Sequence, residues 1–225
     1  MRYRNINPIF FEKTKDGESF YDVYARLVKD RVLFLNEEID SGTASTIVSL
    51  LFLLDREEKE EEPISLWINS PGGNVDDFFA IYDMMQLIKA PVKTICIGSA
   101  CSAAAILLAA GTPGLRYATP NSHIMIHQIQ IGEVSGTGTE VEIEAREVKK
   151  IKSKLNEILS RHTGHTLTKI RRDCEHDKYM DAQTALEYGM IDHILGPTKE
   201  IPEVKSTRRR RKKVDKKSEP TDDKK

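Results

Sequence analysis

Short runs rich in β-forming residues alternate with helix-like runs through the first half of the chain, and this alternation most restricts the fold. The strand-like runs span residues 31–35, 64–68 and 92–97, and helix-like runs follow them at 41–54, 76–89 and 106–110. Strands that alternate with helices in this way are typical of βαβ units, in which neighbouring strands are parallel. The sequence therefore predicts an α/β domain with a largely parallel sheet.

Two further helices are predicted in the second half of the chain. Beyond the Gly-rich segment 132–138, apolar residues recur at three- and four-residue steps, which predicts a long helix over residues 139–162. This helix is longer than a core requires, so we expect its projecting part to offer a surface to a partner. A last helix is predicted over residues 182–188, with Asp181 as its N-cap and Gly189 at its end.

The charge pattern divides the chain into parts. At 225 residues the chain is long enough for one domain with an ample core. From Lys205 onward it carries eleven Lys or Arg against four Asp or Glu, a balance of +7, which leaves −8 for residues 1–204. We predict an N-terminal arm at residues 1–20, a folded domain at 21–197, and a basic tail at 198–225 that is too polar to order itself.

Composition argues against several classes of protein. No aromatic residues interleave the basic tail, so we favour a solvated extension over a nucleic-acid-binding segment. No uncharged apolar stretch approaches the roughly 18 residues that cross a membrane, and no secretory signal follows Met1. The three cysteines have no metal-ligand spacing, and their odd number argues against a disulfide scaffold. We expect a reducing compartment, which is the cytoplasm by default or an organelle matrix.

A serine lies among small residues in Gly98-Ser99-Ala100-Cys101-Ser102-Ala103, where a strand-like run turns into a helix-like run. The residue at such a turn is exposed at the N-terminus of the helix, where unpaired N–H groups favour negative charge. Ser102 is therefore a candidate nucleophile. The alternative is that Ser102 is only the N-cap of the helix.

Two other motifs supply groups that a serine nucleophile needs. Met125-Ile126-His127-Gln128 places a histidine at the end of an apolar strand, as a general base or as a histidine with structural hydrogen bonds alone. Ile68-Asn69-Ser70-Pro71-Gly72-Gly73 offers bare backbone for an oxyanion, or a simple tight turn. Together the motifs indicate acyl transfer by an activated serine. We interpret the other candidate histidines as surface or packing residues: His123, His162 and His165.

These segments resemble the proteolytic-subunit family of the ATP-dependent Clp protease, a family of serine peptidases. The resemblance runs from about residue 7 to residue 197. Besides the histidine and glycine motifs above, it includes Tyr21-Asp22-Val23-Tyr24, Lys29-Asp30-Arg31, Pro120-Asn121-Ser122, His162-Thr163-Gly164 and Glu187-Tyr188-Gly189, whereas the segment around Ser102 departs from the usual family sequence.

The resemblance implies a role for each candidate residue. It makes Ser102 the nucleophile, His127 the general base and Asp177 the third member of a triad, with Asp173 as the alternative on the same predicted helix face. It also implies that the backbone N–H groups of Gly73 and Ala103 bind the oxyanion, with no metal and no cofactor.

The resemblance further implies a crotonase-like fold of repeated ββα units with a projecting long helix. It implies heptameric rings stacked in pairs, or rings mixed with a paralogue. A hexameric AAA+ unfoldase would use the ATP, because this chain has no phosphate-binding loop, and would deliver unfolded polypeptides. The implied docking pocket comprises Trp67, Leu87, Tyr117 and Leu195. The alternatives are a ring-forming structural paralogue without activity and, less favoured, a crotonase-type acyl-CoA enzyme.

Overall fold

The described part of this computed structural model comprises residues 9–14, 17–57, 61–132 and 134–196. These residues form nine strands and seven helices in an alternating order. The elements are β1 (Ile9–Thr14), β2 (Gly17–Asp22), α1 (Val23–Lys29), β3 (Val32–Leu35), α2 (Ser41–Asp55), β4 (Ile64–Ser70), α3 (Val75–Leu87), β5 (Val92–Cys101), α4 (Ala103–Ala109), β6 (Arg116–Ala118), β7 (His123–Ile126), α5 (Gly138–Thr163), α6 (Leu167–Asp173), β8 (Lys178–Met180), α7 (Ala182–Tyr188) and β9 (His193–Ile194).

The sequence predicts an N-terminal arm and a C-terminal basic tail outside the folded domain. The predicted arm at residues 1–20 overlaps an antiparallel hairpin of β1 and β2. Residues 1–8 and the predicted tail at 198–225 lie outside the described residues, so the proposed division of the chain stays a prediction.

The main sheet has seven strands and is mostly parallel, as the sequence predicts. Its central path is β3-β4-β5-β6-β9, in which every neighbouring pair is parallel. The ten-residue strand β5 pairs with β6 over its first half and with β7 over its second half. Only β8 runs antiparallel within this sheet, against β7. The shared edge of β5 therefore aligns two short strands end to end.

A connector at residues 119–122 joins β6 to β7 along that edge. The Thr119 N–H and the Ser122 hydroxyl both donate to the carbonyl oxygen of Cys96, each at 3.0 Å. The Ser122 N–H also donates to the Thr119 carbonyl at 3.0 Å. These bonds anchor the connector to β5, so that β7 begins its pairing opposite Ser99.

The predicted helix ends agree with the capping residues. The Asp40 carboxylate accepts the Thr43 N–H at 2.8 Å at the start of α2, and Asp181 likewise caps α7. Gly189 ends α7 in a left-handed conformation (φ 80°). The long helix α5 extends one residue beyond the prediction at each end and buries side chains only in its C-terminal half. Among the described helices, none has the length and apolar character to cross a membrane.

Arg116 joins the C-terminal ends of three helices. Its Nη1 donates to the carbonyl oxygens of Ala109, His162 and Gly189 at 2.9–3.2 Å, while Nε and Nη2 donate to both oxygens of Asp192 at 2.9 and 2.6 Å. Burial by itself would raise the pKa of Asp192, but the hydrogen bonds and charge of Arg116 outweigh it and lower that pKa. This fork therefore holds the ends of α4, α5 and α7 together.

We expect Asp192→Asn to destabilise the fold by about 3 kcal/mol, because it leaves the buried Arg116 guanidinium without its counter-ion. The matched control is Lys150→Gln, which breaks an exposed pair with Glu147 and should change stability by less than about 0.5 kcal/mol. Urea denaturation of both variants measures the difference. Equal losses of stability in the two variants would contradict the proposed contribution of the buried Arg116–Asp192 pair to the fold.

The same variant should alter the pH dependence of stability. Because folding lowers the pKa of Asp192, its contribution is complete above the ordinary value of 3.8 and is lost as pH falls through the folded-state pKa. Asp192→Asn should therefore reduce the loss of stability below that pH. Unfolding measured from pH 7 to pH 2.5 provides the test.

Candidate active site

Three sequence motifs meet at the carboxyl ends of three adjacent parallel strands. Ser70 at the end of β4 lies opposite Ala100 of β5, and Cys101 at the end of β5 lies opposite Met125 of β7. The residues that follow these strands are the glycine pair, Ser102 and His127. Clefts at the carboxyl ends of parallel strands are common binding sites in α/β proteins. The register of the sheet thus assembles the candidate site.

Ser102 has a backbone conformation that is rare for a side-chain-bearing residue. Its φ is 56° and its ψ is −125°, and its N–H donates to the Met125 carbonyl at 2.8 Å. Such strained residues occur often at functional sites. Ser102 occupies the N-cap position of α4, but its side chain makes no capping hydrogen bond. The N-cap alternative therefore does not account for the side chain.

The imidazole of His127 lies between Ser102 and a carboxylate. Its Nε2 is 2.8 Å from Ser102 Oγ, and its Nδ1 is 3.5 Å from Asp177 Oδ1. If the hydroxyl donates to Nε2, the proton of the neutral ring is on Nδ1 and needs an acceptor. Asp177 can supply that acceptor. His127 therefore has polar partners on both ring nitrogens.

Gln130 is a neighbour of His127 that sequence reasoning missed. Its amide nitrogen lies 3.4 Å from His127 Nδ1. If the amide nitrogen and oxygen are exchanged, Gln130 becomes a second acceptor for the Nδ1 proton. The only available signal was its position three residues after the histidine, which is too weak to single it out.

The structure separates Asp177 from the alternative, Asp173. Strand β8 pairs with β7 so that Ile126 lies opposite Lys178, which places Asp177 beside His127. The expectation that both acids share a helix face is wrong, because α6 ends at Asp173. The reason is the antiparallel strand β8, whose three residues were too few to recognise in the sequence.

Asp173 has partners of its own. Its Oδ2 accepts from Lys169 Nζ at 3.0 Å and from the Tyr188 hydroxyl at 2.9 Å. Burial would raise the pKa of Asp173, but these hydrogen bonds together with Arg172 lower it to about 2. Asp173 therefore links α6 to α7 as a charged structural residue.

The glycine pair allows a close approach of backbone to Ser102. Gly72 has a φ of 96°, and a Cβ there would lie 2.7 Å from Ser102 Cβ. Gly73 has a φ of 154° and packs directly on the backbone of Ile39, with which it forms a parallel bridge. Neither turn position tolerates a side chain without movement. The pair is therefore more than a generic Pro-Gly turn.

Two backbone donors face the space in front of Ser102. The N–H groups of Gly73 and Ala103 have no hydrogen-bond acceptor within the described ranges. Both residues line a cavity of about 540 Å³, together with Ser102 and His127. Apolar side chains complete the wall of this cavity, among them Phe78, Ile106, Met125 and Leu155. Unpaired N–H groups beside a hydroxyl are suited to bind a developing oxyanion.

The neighbouring thiol is a weaker nucleophile than its position suggests. Burial, with the nearby Asp177 carboxylate, raises the pKa of the Cys101 thiol. A raised pKa keeps the thiol protonated at neutral pH, and the thiolate is the reactive form.

Among the described residues, no group of three or more His, Cys, Asp or Glu is arranged to hold a metal ion.

The other candidate histidines have surroundings that fit packing or surface positions. His162 Nε2 lies 3.1 Å from the Tyr82 hydroxyl, and burial, with Arg161 and Arg116 nearby, lowers the His162 pKa to about 4. His165 packs edge-on against the Tyr188 ring. His123 is exposed at the start of β7.

The predicted docking residues lie on several elements. Trp67 and Tyr117 flank Ile95 in one row across the sheet, and Trp67 stacks on Phe34 with ring centroids 6.3 Å apart. Leu87 is 76 % exposed at the end of α3. Leu195 follows β9 and donates its N–H to Ala118. The sheet thus brings Trp67 and Tyr117 near each other.

An α/β domain in which a hydroxyl contacts an imidazole beside bare N–H donors has the arrangement of a hydrolase. In a comparison with known families, the sequence model described as Clp protease matches residues 15–198. The chain therefore belongs to the Clp protease family, which confirms the resemblance and the predicted crotonase-like fold. Membership supports peptidase activity, and the family forms rings that work with Clp ATPases in general.

The close approach at Gly72 can be tested by substitution. Gly72→Ala should destabilise the protein more than Gly114→Ala, since both have positive φ (96° and 85°) but a Cβ at Gly114 meets nothing within 4 Å. The backbone strain alone costs about 1–2 kcal/mol. Urea denaturation gives both values. A Gly72→Ala loss no larger than that of Gly114→Ala would contradict the close packing on Ser102.

Proposed function

We propose that this protein is a serine endopeptidase in which Ser102 is the nucleophile and His127 is the general base. The observation that carries the proposal is the 2.8 Å contact between His127 Nε2 and Ser102 Oγ. This distance is a hydrogen bond through which a proton can pass from the hydroxyl to the imidazole. Membership of the Clp protease family supports the same activity.

The reaction begins when the Ser102 oxygen attacks the scissile carbonyl and His127 removes its proton. The protonated imidazole then gives the proton to the leaving amine, which leaves an acyl-enzyme that water hydrolyses by the same route. Asp177 faces Nδ1 and stabilises the imidazolium during these steps. The order Ser, His, Asp along the chain is no obstacle, since triads are defined by geometry.

The backbone N–H groups of Gly73 and Ala103 bind the oxyanion in this proposal. Both line the cavity and lack other acceptors within the described part of the chain. Each such donor contributes about 3 kcal/mol of transition-state stabilisation in a well-studied unrelated protease. Because the donors belong to the main chain, the small side chain at position 103 leaves their function intact.

We also propose that the protein works in heptameric rings stacked in pairs, or mixed with a paralogue, beside an AAA+ unfoldase that uses the ATP. The exposed apolar residues Val141 and Ile143 on the projecting half of α5 support a role of this helix in assembly. The docking surface would include Trp67, Leu87, Tyr117 and Leu195. The substrates would be unfolded polypeptides in the cytoplasm or an organelle matrix, and the peptidase itself would need no cofactor.

Fluorophosphonate labelling tests the nucleophile directly. We expect one modified residue, Ser102, and no labelling or peptide hydrolysis in Ser102→Ala. The matched control is Ser99→Ala, because Ser99 lies three residues away and its hydroxyl bonds Asn69 rather than a histidine. Mass spectrometry of the labelled protein identifies the site. A folded but unlabelled wild-type protein would favour the inactive structural paralogue.

The third member of the triad is tested by comparing two acids. Asp177→Asn should lower kcat by about 100-fold or more, because His127 loses the carboxylate that stabilises its charged form. Asp173→Asn should leave kcat close to wild type but lower stability by about 1–3 kcal/mol, since it weakens the bonds from Lys169 and Tyr188. Peptide hydrolysis and thermal unfolding separate the two effects. Loss of kcat in Asp173→Asn alone would reverse the assignment.

A further inference from the structure

A second cavity, distinct from the one in front of Ser102, lies between α5 and α6. Its volume is about 470 Å³, and four of its eight lining residues are cationic. These are Lys149 and Lys152 of α5 and Arg171 and Arg172 of α6, against a single acid, Glu175. We call this space the basic cavity. Nothing in the proposed peptidase mechanism uses it.

Three of the four cations have no carboxylate partner among the described residues. Arg172 is bonded to Asp173 at 3.2–3.3 Å. Within the ranges that the structure describes, Lys149, Lys152 and Arg171 form no ion pair, and Lys152 donates instead to the neutral Gln128 Oε1 at 2.6 Å. Like charges gathered in a concave surface concentrate positive potential there. An anion would relieve this repulsion.

A buried amide also lines the basic cavity. Asn156 of α5 is only 4 % exposed, yet its side chain makes no hydrogen bond in the described part of the chain. The Asn156 amide atoms are not among the fully enclosed polar atoms without a partner in the described residues, so they reach the open space of the basic cavity, where the amide can donate to a ligand. This observation is independent of the surrounding charge.

We propose that the basic cavity binds a small phosphate anion, such as inorganic phosphate or pyrophosphate. A phosphate group carries about 1.5 negative charges at neutral pH and offers several acceptor oxygens. The guanidinium of Arg171 matches such oxygens in a bidentate manner, the two ammonium groups supply charge, and the Asn156 amide donates a hydrogen bond. The proposal goes beyond the peptidase function and does not depend on it.

The basic cavity is connected to the active-site cavity through Gln128, which lines both. The Gln128 amide accepts from Lys152 and donates to the Glu175 carbonyl at 3.0 Å. Gln128 directly follows His127. An anion that draws the Lys152 ammonium to itself competes with Gln128 for that group, so the bound anion contacts the same network that supports the His127 loop.

The test is calorimetric titration of the full-length protein with inorganic phosphate and, separately, with pyrophosphate. Ionic strength is held constant with KCl so that simple screening contributes equally to all measurements. We expect saturable binding that Arg171→Gln and Lys149→Gln each weaken by about tenfold or more, as expected for loss of a charge-assisted hydrogen bond. Tighter binding of pyrophosphate would identify it as the preferred anion, and tighter binding of phosphate the reverse.

Two further variants separate a defined site from diffuse attraction. Lys150→Gln removes the same charge from the same helix but outside the cavity lining, and it should leave affinity almost unchanged. Asn156→Leu keeps the charge and approximate volume while removing the amide, and it should weaken binding several-fold. Circular dichroism confirms that each variant is folded.

The proposal is overturned if neither anion binds, if Lys150→Gln weakens binding as much as Arg171→Gln, or if Asn156→Leu has no effect. It is also overturned if carboxylates of a second copy of this chain fill the basic cavity. In that case phosphate would not bind to the assembled wild type, and Arg171→Gln would dissociate the assembly in sedimentation velocity. Because every readout is binding or mass, an inactive enzyme would leave the test valid.

Discussion

The alignment of three parallel strands, β4, β5 and β7, is the constraint on which the candidate site depends. The strands end at nearly the same level, so residues distant in sequence follow them into one cleft. The Ser102 N–H bond to the Met125 carbonyl continues the β5–β7 pairing one step beyond the last strand residue. The separation of the Ser102 hydroxyl and the His127 imidazole therefore depends on the register of the sheet together with the positive φ of Ser102. Strand β8 pairs antiparallel with β7 and thereby places Asp177 beside His127.

The backbone strain at Ser102 follows from the same arrangement. A chain that leaves a strand and enters a helix within one residue must use a conformation that side chains disfavour. The surrounding hydrogen bonds and the fully buried helix α4 maintain that conformation. The result is a side chain directed away from its own helix, so that Ser102 Oγ meets His127 instead of capping α4.

Features with strong local signals were predictable from the sequence, and features set by distant pairing were not. The helices α2 and α7 have capping side chains at their first turns, so their ends were found almost to the residue. Strands β6, β8 and β9 have only two or three residues each, which is too short for a pattern. The contact between Ser102 and His127 followed from motif recognition. The choice of Asp177 over Asp173 came from the family resemblance, because the β8 register that places Asp177 beside His127 has no local sequence signal. Gln130 had only the weak signal of its position three residues after His127.

The length of the connector at residues 119–122 determines the register of β7 against β5. It is bonded to Cys96, so the number of residues in it decides which residue of β7 meets each residue of β5. Side chains alternate between the two faces of a strand, and an insertion or deletion of a single residue would send every later side chain of β7 to the opposite face. Natural length variation should therefore be rare in this short turn, although Pro120 and Asn121 are exposed and exposed loops ordinarily tolerate change. The position of the His127 imidazole relative to Ser102 therefore depends on the number of residues in this connector as well as on their chemical nature.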